Sequence, residues 1–309
     1  MKVFIDGKAG TTGLRIESRL LGRSDVELLT LPETERKDPE RRRWALNHCD
    51  AAILCLPDQA AVQAADMVEN DHVILLDAST AHRTQPGWDY GFPELSPAHR
   101  RAIASSHRIA VPGCHASGFI ALVHPLVQAG ILPRDALLSC FSVTGYSGGG
   151  KTMIAQYEDD ELDLPLQSPR QYGLGQKHKH LPEMQKITGL ETAPMFSPIV
   201  SNFPCGLVVT VPVFRQQLAA GAGAADIRTA YQAAYQGPVV RYVDTLPEDG
   251  FFPSNSLDGR DCMEISVGGN EDRILLIASY DNLGKGASGA ALQCLNIAAG
   301  IDETAGLVL

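Results

Sequence analysis

The sequence predicts an α/β protein: an N-terminal parallel sheet, a second α+β domain with a mixed sheet, and a C-terminal helix that returns to the first domain. Three observations predict it. In the N-terminal part, short apolar runs alternate with helix-period segments, the sign of a parallel sheet with crossover helices. The first of those runs leads straight into a glycine-rich turn and a helix. Farther along, strand-like runs follow one another without regular intervening helices, which marks a mixed sheet. The first domain is thus of the Rossmann type, expected over 1–114 and completed by 285–309. A catalytic, substrate and oligomerisation domain is expected over 115–284. A length of 309 residues suits two domains.

Val3-Phe4-Ile5 reads as the first buried strand, followed by Gly7-Lys8-Ala9-Gly10-Thr11-Thr12-Gly13 and a helix with Gly13, Ile16 and Leu20 on one face. The glycine spacing is G-x-x-G-x-x-G, with Ala9 where the commoner motif has its second glycine. Backbone N–H groups of such a turn can approach a pyrophosphate at a helix N-terminus. Gly7, Gly10, Thr11, Thr12 and Gly13 are therefore candidate cofactor residues. A second strand is expected over 26–31. Glu33 lies where an acid could hold a ribose and favour NAD, whereas Thr30, Arg36 and Lys37 could hold a 2′-phosphate and favour NADP. The residues alone leave that choice open, and the alternative for each of the four is a plain surface residue.

Apolar runs at 51–56 and 73–76 flank a helical segment at 59–69. Ligands of open parallel sheets collect at the carboxyl ends of the strands, so Ser79, Thr80 and Arg83 become site candidates. Ser96-Pro97 reads as an N-cap with proline at the first helical position. A strand at 109–111 then leads through Pro112-Gly113 to Cys114, placed where a helix begins. Helix N-termini favour a thiolate, the nucleophilic form of cysteine. A buried structural cysteine is the alternative. Pro125 falls inside the helical pattern and predicts a kink, and Gly130 a stop.

A strand over 136–143 runs into Thr144-Gly-Tyr-Ser-Gly-Gly-Gly-Lys151, a glycine-rich loop that reads either as an anion-binding nest or as a flexible turn. Glu158-Asp-Asp-Glu-Leu-Asp163 reads as a solvated loop; a metal cage is the weaker alternative, since carboxylates in a row seldom converge. His178 and His180 are two apart and would face the same way on an extended segment. They could share a metal, but a third ligand is missing; one of them as a proton-transfer partner to a cysteine reads at least as well. Strands follow over 198–214, 239–243, 262–267 and 273–280, with a helix over 224–236. A hairpin is expected at Gly268-Gly269-Asn270. Asp281-Asn282-Leu-Gly-Lys-Gly-Ala-Ser-Gly289 opens the final helix.

Composition narrows the function classes. A formal net charge of −10 argues against a nucleic-acid surface, and Arg41-Arg42-Arg43 is expected to be a solvated helical face. Neither a secretory leader nor an apolar run of membrane-span length is found. The 7 cysteines are odd in number and scattered, without a C-x-x-C pair. Neither a disulfide framework nor a zinc ribbon is expected, and a cytoplasmic location fits.

An ordered set of motifs then resembles a known family. It comprises the Gly7/Gly10/Gly13 turn, Tyr90-Gly-Phe-Pro-Glu-Leu95, Val111-Pro-Gly-Cys-His115, Gly145-Tyr-Ser-Gly-Gly-Gly-Lys151, His178-Lys-His-Leu-Pro-Glu183 and Asp281-Asn-Leu-Gly-Lys-Gly286. Together these are similar to N-acetyl-gamma-glutamyl-phosphate reductases of the shorter variant, relatives of aspartate-semialdehyde dehydrogenase. The resemblance implies an arginine-biosynthesis enzyme that uses NADPH to reduce an acyl phosphate to an aldehyde. It implies Cys114 as nucleophile, His180 or His178 as acid/base with His180 preferred, and the Gly7–Gly13 turn and Asn282 as cofactor residues. Arg83, Ser147, Gly149 and Lys151 are candidates to hold phosphate by residue type and loop context. The partners expected are a small acyl phosphate and further copies of the chain, in a dimer or tetramer. Rival readings are a reductase of aspartyl or N-acetyl-aminoadipyl phosphate, a Cys–His hydrolase, and an NADP-sensing regulator.

Overall fold

Period-two alternation in the first strand, β1 (Lys2–Asp6), sets up the first unit: Val3 and Ile5 enter one core and Phe4 another. The computed structural model describes residues 1–309 and divides them into two units, Met1–Gly113 with Ala287–Val308, and Cys114–Gly286 with Leu309. After β1 the first unit contains α1 (Thr11–Leu20), β2 (Glu27–Leu29), α2 (Pro39–Asn47), β3 (Ala51–Leu54) and α3 (Asp58–Asp66). It continues with β4 (Ile74–Asp77), β5 (Asp89–Tyr90), α4 (Pro97–Ser105) and β6 (Arg108–Ala110).

These strands form a 6-stranded sheet in the order β2-β1-β3-β4-β6-β5, with every pairing parallel. Val3, Ile5, Ile53 and Ile109 pack with Ile16 and Leu20 of α1. Phe4, Leu54 and Leu75 pack instead with Ala45, Leu46 and Ala61 of α2 and α3. Helices therefore cover both faces, the doubly wound arrangement expected from the alternating pattern. Strand order reverses between β1 and β3, and a ligand crevice is expected at their carboxyl ends. Two caps support the helices: Asp38 accepts from the N–H groups of Glu40 and Arg41, and Ser96 accepts from that of His99. Each such cap contributes about 1 kcal/mol.

The second unit comprises α5 (Cys114–Gln128), β7 (Ser139–Gly145), α6 (Gly150–Tyr157), β8 (Arg170–Gln171), α7 (Leu181–Thr188) and β9 (Met195–Ser201). It goes on with β10 (Leu207–Phe214), α8 (Ala224–Ala234), β11 (Val240–Tyr242), β12 (Met263–Gly269) and β13 (Arg273–Tyr280). Its 7-stranded sheet has the order β11-β12-β13-β10-β7-β9-β8. Parallel pairings (β11 with β12, β7 with β9) mix with antiparallel ones. Helix α5 lies against β10 and β13. The β12–β13 hairpin turns where the glycine pair predicted, with Gly269 at φ +90°.

Helix α5 continues through Pro125 because a side chain replaces the donor that proline lacks. The Ala121 carbonyl, four residues earlier, accepts instead from Tyr235 Oη at 2.6 Å, and the neighbouring Leu122 carbonyl accepts from Tyr231 Oη at 2.6 Å. The helix ends at Gly130, φ +68°, whose N–H donates to the Val127 carbonyl while that of Ile131 reaches Leu126.

Three expectations are corrected. The 144–151 stretch is not an open loop: Tyr146–Gly149 form a 3₁₀ turn and Gly150 begins α6. The 178–180 segment is not extended, because His180 has helical angles and is the N-cap of α7. Arg42 does not lie on a solvated face; it pairs with the buried Asp6 at 2.7 Å, while Arg41 and Arg43 remain exposed.

The last elements are a π-turn, Gly284–Ser288, and α9 (Gly289–Ala298). Ala290, Ala291, Leu292, Cys294 and Leu295 of α9 share a core with Val3, Ile5 and Ile16, so the last helix completes the first unit. No helix is long and apolar enough to cross a membrane.

Candidate active site

In the first unit the turn after β1 forms a cradle. Gly7 has φ +83°, and a Cβ there would stand 2.4 Å from the Cys55 carbonyl oxygen at the end of β3. Only glycine lets the two strand ends approach so closely. Gly13 is constrained in the same way, since a Cβ there would stand 2.7 Å from Lys8 Cα, whereas one on Gly10 would make only an ordinary 3.5 Å contact. Helix α1 has Gly10 as its N-cap and no side-chain cap, and Thr11 Oγ1 is buried without a hydrogen-bond partner. First-turn N–H groups and an unsatisfied hydroxyl at a helix N-terminus suit a pyrophosphate.

A cavity of about 390 Å³ opens beside this turn, lined by Gly7, Lys8, Ala9, Thr30, Arg36, Lys37 and Arg42 among others. Glu33 is not among its lining residues; it is exposed and paired with Arg36 at 2.7 Å. Thr30, Arg36 and Lys37, just beyond β2, supply a hydroxyl and cations that fit a ribose carrying a 2′-phosphate, although Asp6 and Glu17 also line the cavity. The residues present therefore fit NADP.

The second unit places Cys114 as the first residue of α5, with no acidic residue in the first turn to oppose a thiolate. Next to it, His115 is buried and held at both ring nitrogens: Nδ1 lies 2.6 Å from Ser142 Oγ and Nε2 2.6 Å from Tyr172 Oη. Burial, reinforced by His178, pushes its pKa down to about 3, so the ring is neutral. Burial also raises the Tyr172 phenol, and the nearby Cys114 raises it further.

His178 and His180 then complete a cluster of rings. Their centroids lie 4.7 Å apart, and each stands within 6.0 Å of the His115 ring. Phe196 packs against His115 and His178. The two histidines differ in their partners. His178 Nδ1 accepts from the His180 backbone N–H at 3.2 Å, which leaves the ring proton on Nε2, and burial lowers its pKa. His180 is itself buried, with Nε2 3.9 Å from the buried Glu183 carboxylate.

Comparison with known proteins gives the family. A family model described as "Semialdehyde dehydrogenase, dimerisation domain" matches residues 114–282. An N-acetyl-gamma-glutamyl-phosphate reductase of Burkholderia cenocepacia is 44% identical over 98% of this chain and 98% of its own. One of Sinorhizobium medicae is 46% identical over 96% and 98%. The chain belongs to the N-acetyl-gamma-glutamyl-phosphate reductase family. The fold is shared more widely: aspartate semialdehyde dehydrogenase II of Vibrio cholerae, at 17% identity, superposes with a TM-score of 0.70 over 97% of this chain and 98% of that one.

In this reductase-family chain the other candidate residues fall into separate clusters. Ser79 donates to Asp77 through both N–H and Oγ, and Thr80 donates to Asp58 likewise. These bonds shape the loops at the carboxyl ends of β3 and β4. Arg83 is buried and donates to the carbonyls of Val111 and Ala78. Asn282 is buried in the second unit, where it accepts from the Gly206 N–H at 2.9 Å and donates to Ser147 Oγ at 2.9 Å. Ser147 Oγ also lies 3.3 Å from Cys205 Sγ. Asn282 and Ser147 thus meet each other, whereas Lys151 points out from α6 as an exposed side chain and Gly149 packs on Met153.

Sequence reasoning missed His115, Tyr172, Ser142 and Glu183 as members of this site. Two of them had a signal. His115 directly follows the nucleophile candidate, and Glu183 stands three residues after His180, one helical turn away. Ser142 and Tyr172 had none, because only the sheet register brings β7 and the 172–180 segment to the start of α5.

Proposed function

We propose that this chain reduces N-acetyl-gamma-glutamyl phosphate to N-acetylglutamate semialdehyde and phosphate, with NADP as cofactor, in arginine biosynthesis in the cytoplasm. The observation that carries the reading is the neutral, doubly held His115 and the His178/His180 pair gathered at the helix start that bears Cys114. Family membership supplies the substrate class.

Cys114 is the nucleophile. Its thiolate attacks the acyl carbon, the C–O bond to phosphate breaks, and a thioester forms as inorganic phosphate leaves. NADPH, when bound, supplies the hydride that reduces this thioester. The resulting oxyanion expels the thiolate and gives the aldehyde. N–H groups in the first turn of α5 are suited to bind that oxyanion. His180, backed by Glu183, holds and transfers the proton that the departing phosphate takes up, a role worth ~10²–10⁴-fold. His178, kept neutral, donates from Nε2. The Gly7–Gly13 turn, Thr11 and Thr12 hold the pyrophosphate, and Arg36, Lys37 and Thr30 the 2′-phosphate. Ser79, Thr80 and Asn282 shape the remaining cofactor surface. Arg83, Ser147, Gly149 and Lys151 are the groups proposed for the substrate phosphate.

The chain is further proposed to act as a homo-oligomer, a dimer or tetramer. In support, one face of the second sheet carries Phe141, Met195 and Leu275, which are 47%, 65% and 39% exposed. Phe141, Thr210 and Ile277 stand opposite one another on neighbouring strands, so Phe141 and Leu275 share one face of the sheet, with the polar Thr210 and the buried Ile277 between them.

Substrate choice is tested by running the reaction backwards with NADP, phosphate or arsenate, and a panel of semialdehydes. Turnover is expected with N-acetylglutamate semialdehyde well above aspartate and N-acetyl-aminoadipate semialdehydes. Equal or greater turnover with either of the others overturns the assignment.

A further inference from the structure

We propose that Tyr280 is a positioning residue for Cys114, its hydroxyl clamping the first turn of the helix that presents the sulfur. The inference rests on the reading of Cys114 as nucleophile. The two backbone groups that pair across the first turn of α5 are the Cys114 carbonyl and the Gly118 N–H. Tyr280 Oη bonds both: it accepts from Gly118 N–H at 2.9 Å and donates to the Cys114 carbonyl at 2.6 Å. Helix ends fray unless something holds them. Here the clamp comes from another element, the last residue of β13, whose ring is fully buried.

The surroundings are shaped for this contact. A Cβ on Gly118 would stand 2.6 Å from Tyr280 Oη and 2.7 Å from Val209 Cγ2, so glycine makes the room the hydroxyl occupies. On another side, a Cβ on Gly286 would stand 3.1 Å from Cys114 Cβ. Burial raises the Tyr280 phenol well above its ordinary value, and the adjacent Cys114 adds to this. The hydroxyl therefore keeps its proton and can go on donating while the sulfur is anionic. A phenylalanine there would fill the same space and release the turn.

The test compares the full-length protein with its Tyr280→Phe variant on three readouts: kcat and KM in the reverse reaction, NADP affinity, and the pH profile of Cys114 alkylation by iodoacetamide. The expected result is a kcat lower by about 10–100-fold with NADP affinity unchanged, since small displacements of a reacting group carry losses of that order. The alkylation profile is expected to move to higher pH by several tenths of a unit, as a frayed first turn stabilises the thiolate less. Gly118→Ala, which displaces the hydroxyl without removing it, is expected to move the profile in the same direction, and it serves if Tyr280→Phe does not fold. A variant with a lower melting temperature but unchanged kcat and alkylation profile overturns the inference. Cys114→Ser separates the two readings. If it is inactive while Tyr280→Phe behaves as wild type, only the clamp fails; if it retains turnover, the nucleophile assignment fails and the role of Tyr280 in turnover with it.

Discussion

The two units hold their functional groups by opposite means. In the first, the cradle at the end of β1 is made of backbone: Gly7 with its positive φ, the uncapped start of α1, and one unsatisfied hydroxyl on Thr11. In the second, the start of α5 is surrounded by packed side chains, with imidazoles, a serine hydroxyl, a phenol and a carboxylate drawn from α5, β7, the 172–180 segment and α7. A backbone cradle tolerates many side chains so long as glycine stands at the close approaches. A side-chain cluster depends on the identity and protonation of each member. Substitutions should therefore separate cofactor binding from chemistry.

The sharpest break is Cys114→Ser. Reverse turnover is expected to fall by at least ~10³-fold, as for loss of a covalent nucleophile, with NADP affinity within a few-fold of wild type. Loss of both together, measured by steady-state kinetics and cofactor titration, would mean that the two units are not functionally separable. Next comes the histidine pair. His180→Asn is expected to lower kcat by ~10²–10⁴-fold, and His178→Asn by much less. The reverse ranking would exchange their roles and remove Glu183 from the proton path.

On the other side of the comparison, Arg36→Ala combined with Lys37→Ala should leave the Cys114 alkylation rate alone. It should shift the NADP-to-NAD preference in kcat/KM by about tenfold or more, the worth of one or two charge-assisted bonds to phosphate. An unchanged preference would place the 2′-phosphate elsewhere.

The smallest effect concerns pH and stability. His115 has its pKa lowered from 6.5 to about 3 by burial, with His178 contributing. Between those values the unfolded chain binds a proton that the folded chain does not. This contribution is therefore complete above pH 6.5 and is lost as the pH falls toward 3. His115→Asn should flatten the fall in melting temperature over that window, read by calorimetry at several pH values. An unaltered slope would assign the acid sensitivity to other groups.

Much of this was open to sequence reasoning, and the boundary follows the same division. The turn after β1 was legible because its shape lies in glycine spacing along a continuous segment. The Ser96 cap, the Gly130 stop, and the β12–β13 hairpin were legible for the same reason: a few adjacent residues suffice. The 144–151 stretch was read as a glycine-rich loop, a nest or a flexible turn, because glycines signal freedom of φ but not what the backbone will bond. There the N–H groups of Gly145, Tyr146 and Ser147 reach the Gly206, Phe203 and Pro204 carbonyls. Alternation likewise placed His178 and His180 side by side, yet an N-cap turn brings their rings together, not an extended strand.

By itself, then, the sequence determined the doubly wound first sheet, the mixed second sheet, the return of the last helix, and Cys114 as the start of α5. All are set by periodicity and by turn residues acting over short spans. Tertiary structure alone decided that Pro125 would not break α5, that His115 would be neutral and held at both nitrogens, and that Tyr280 would meet the turn bearing Cys114. Each depends on groups distant in the chain, the last on a tyrosine 166 residues away, and only the pairing of strands in register brings them within bonding distance.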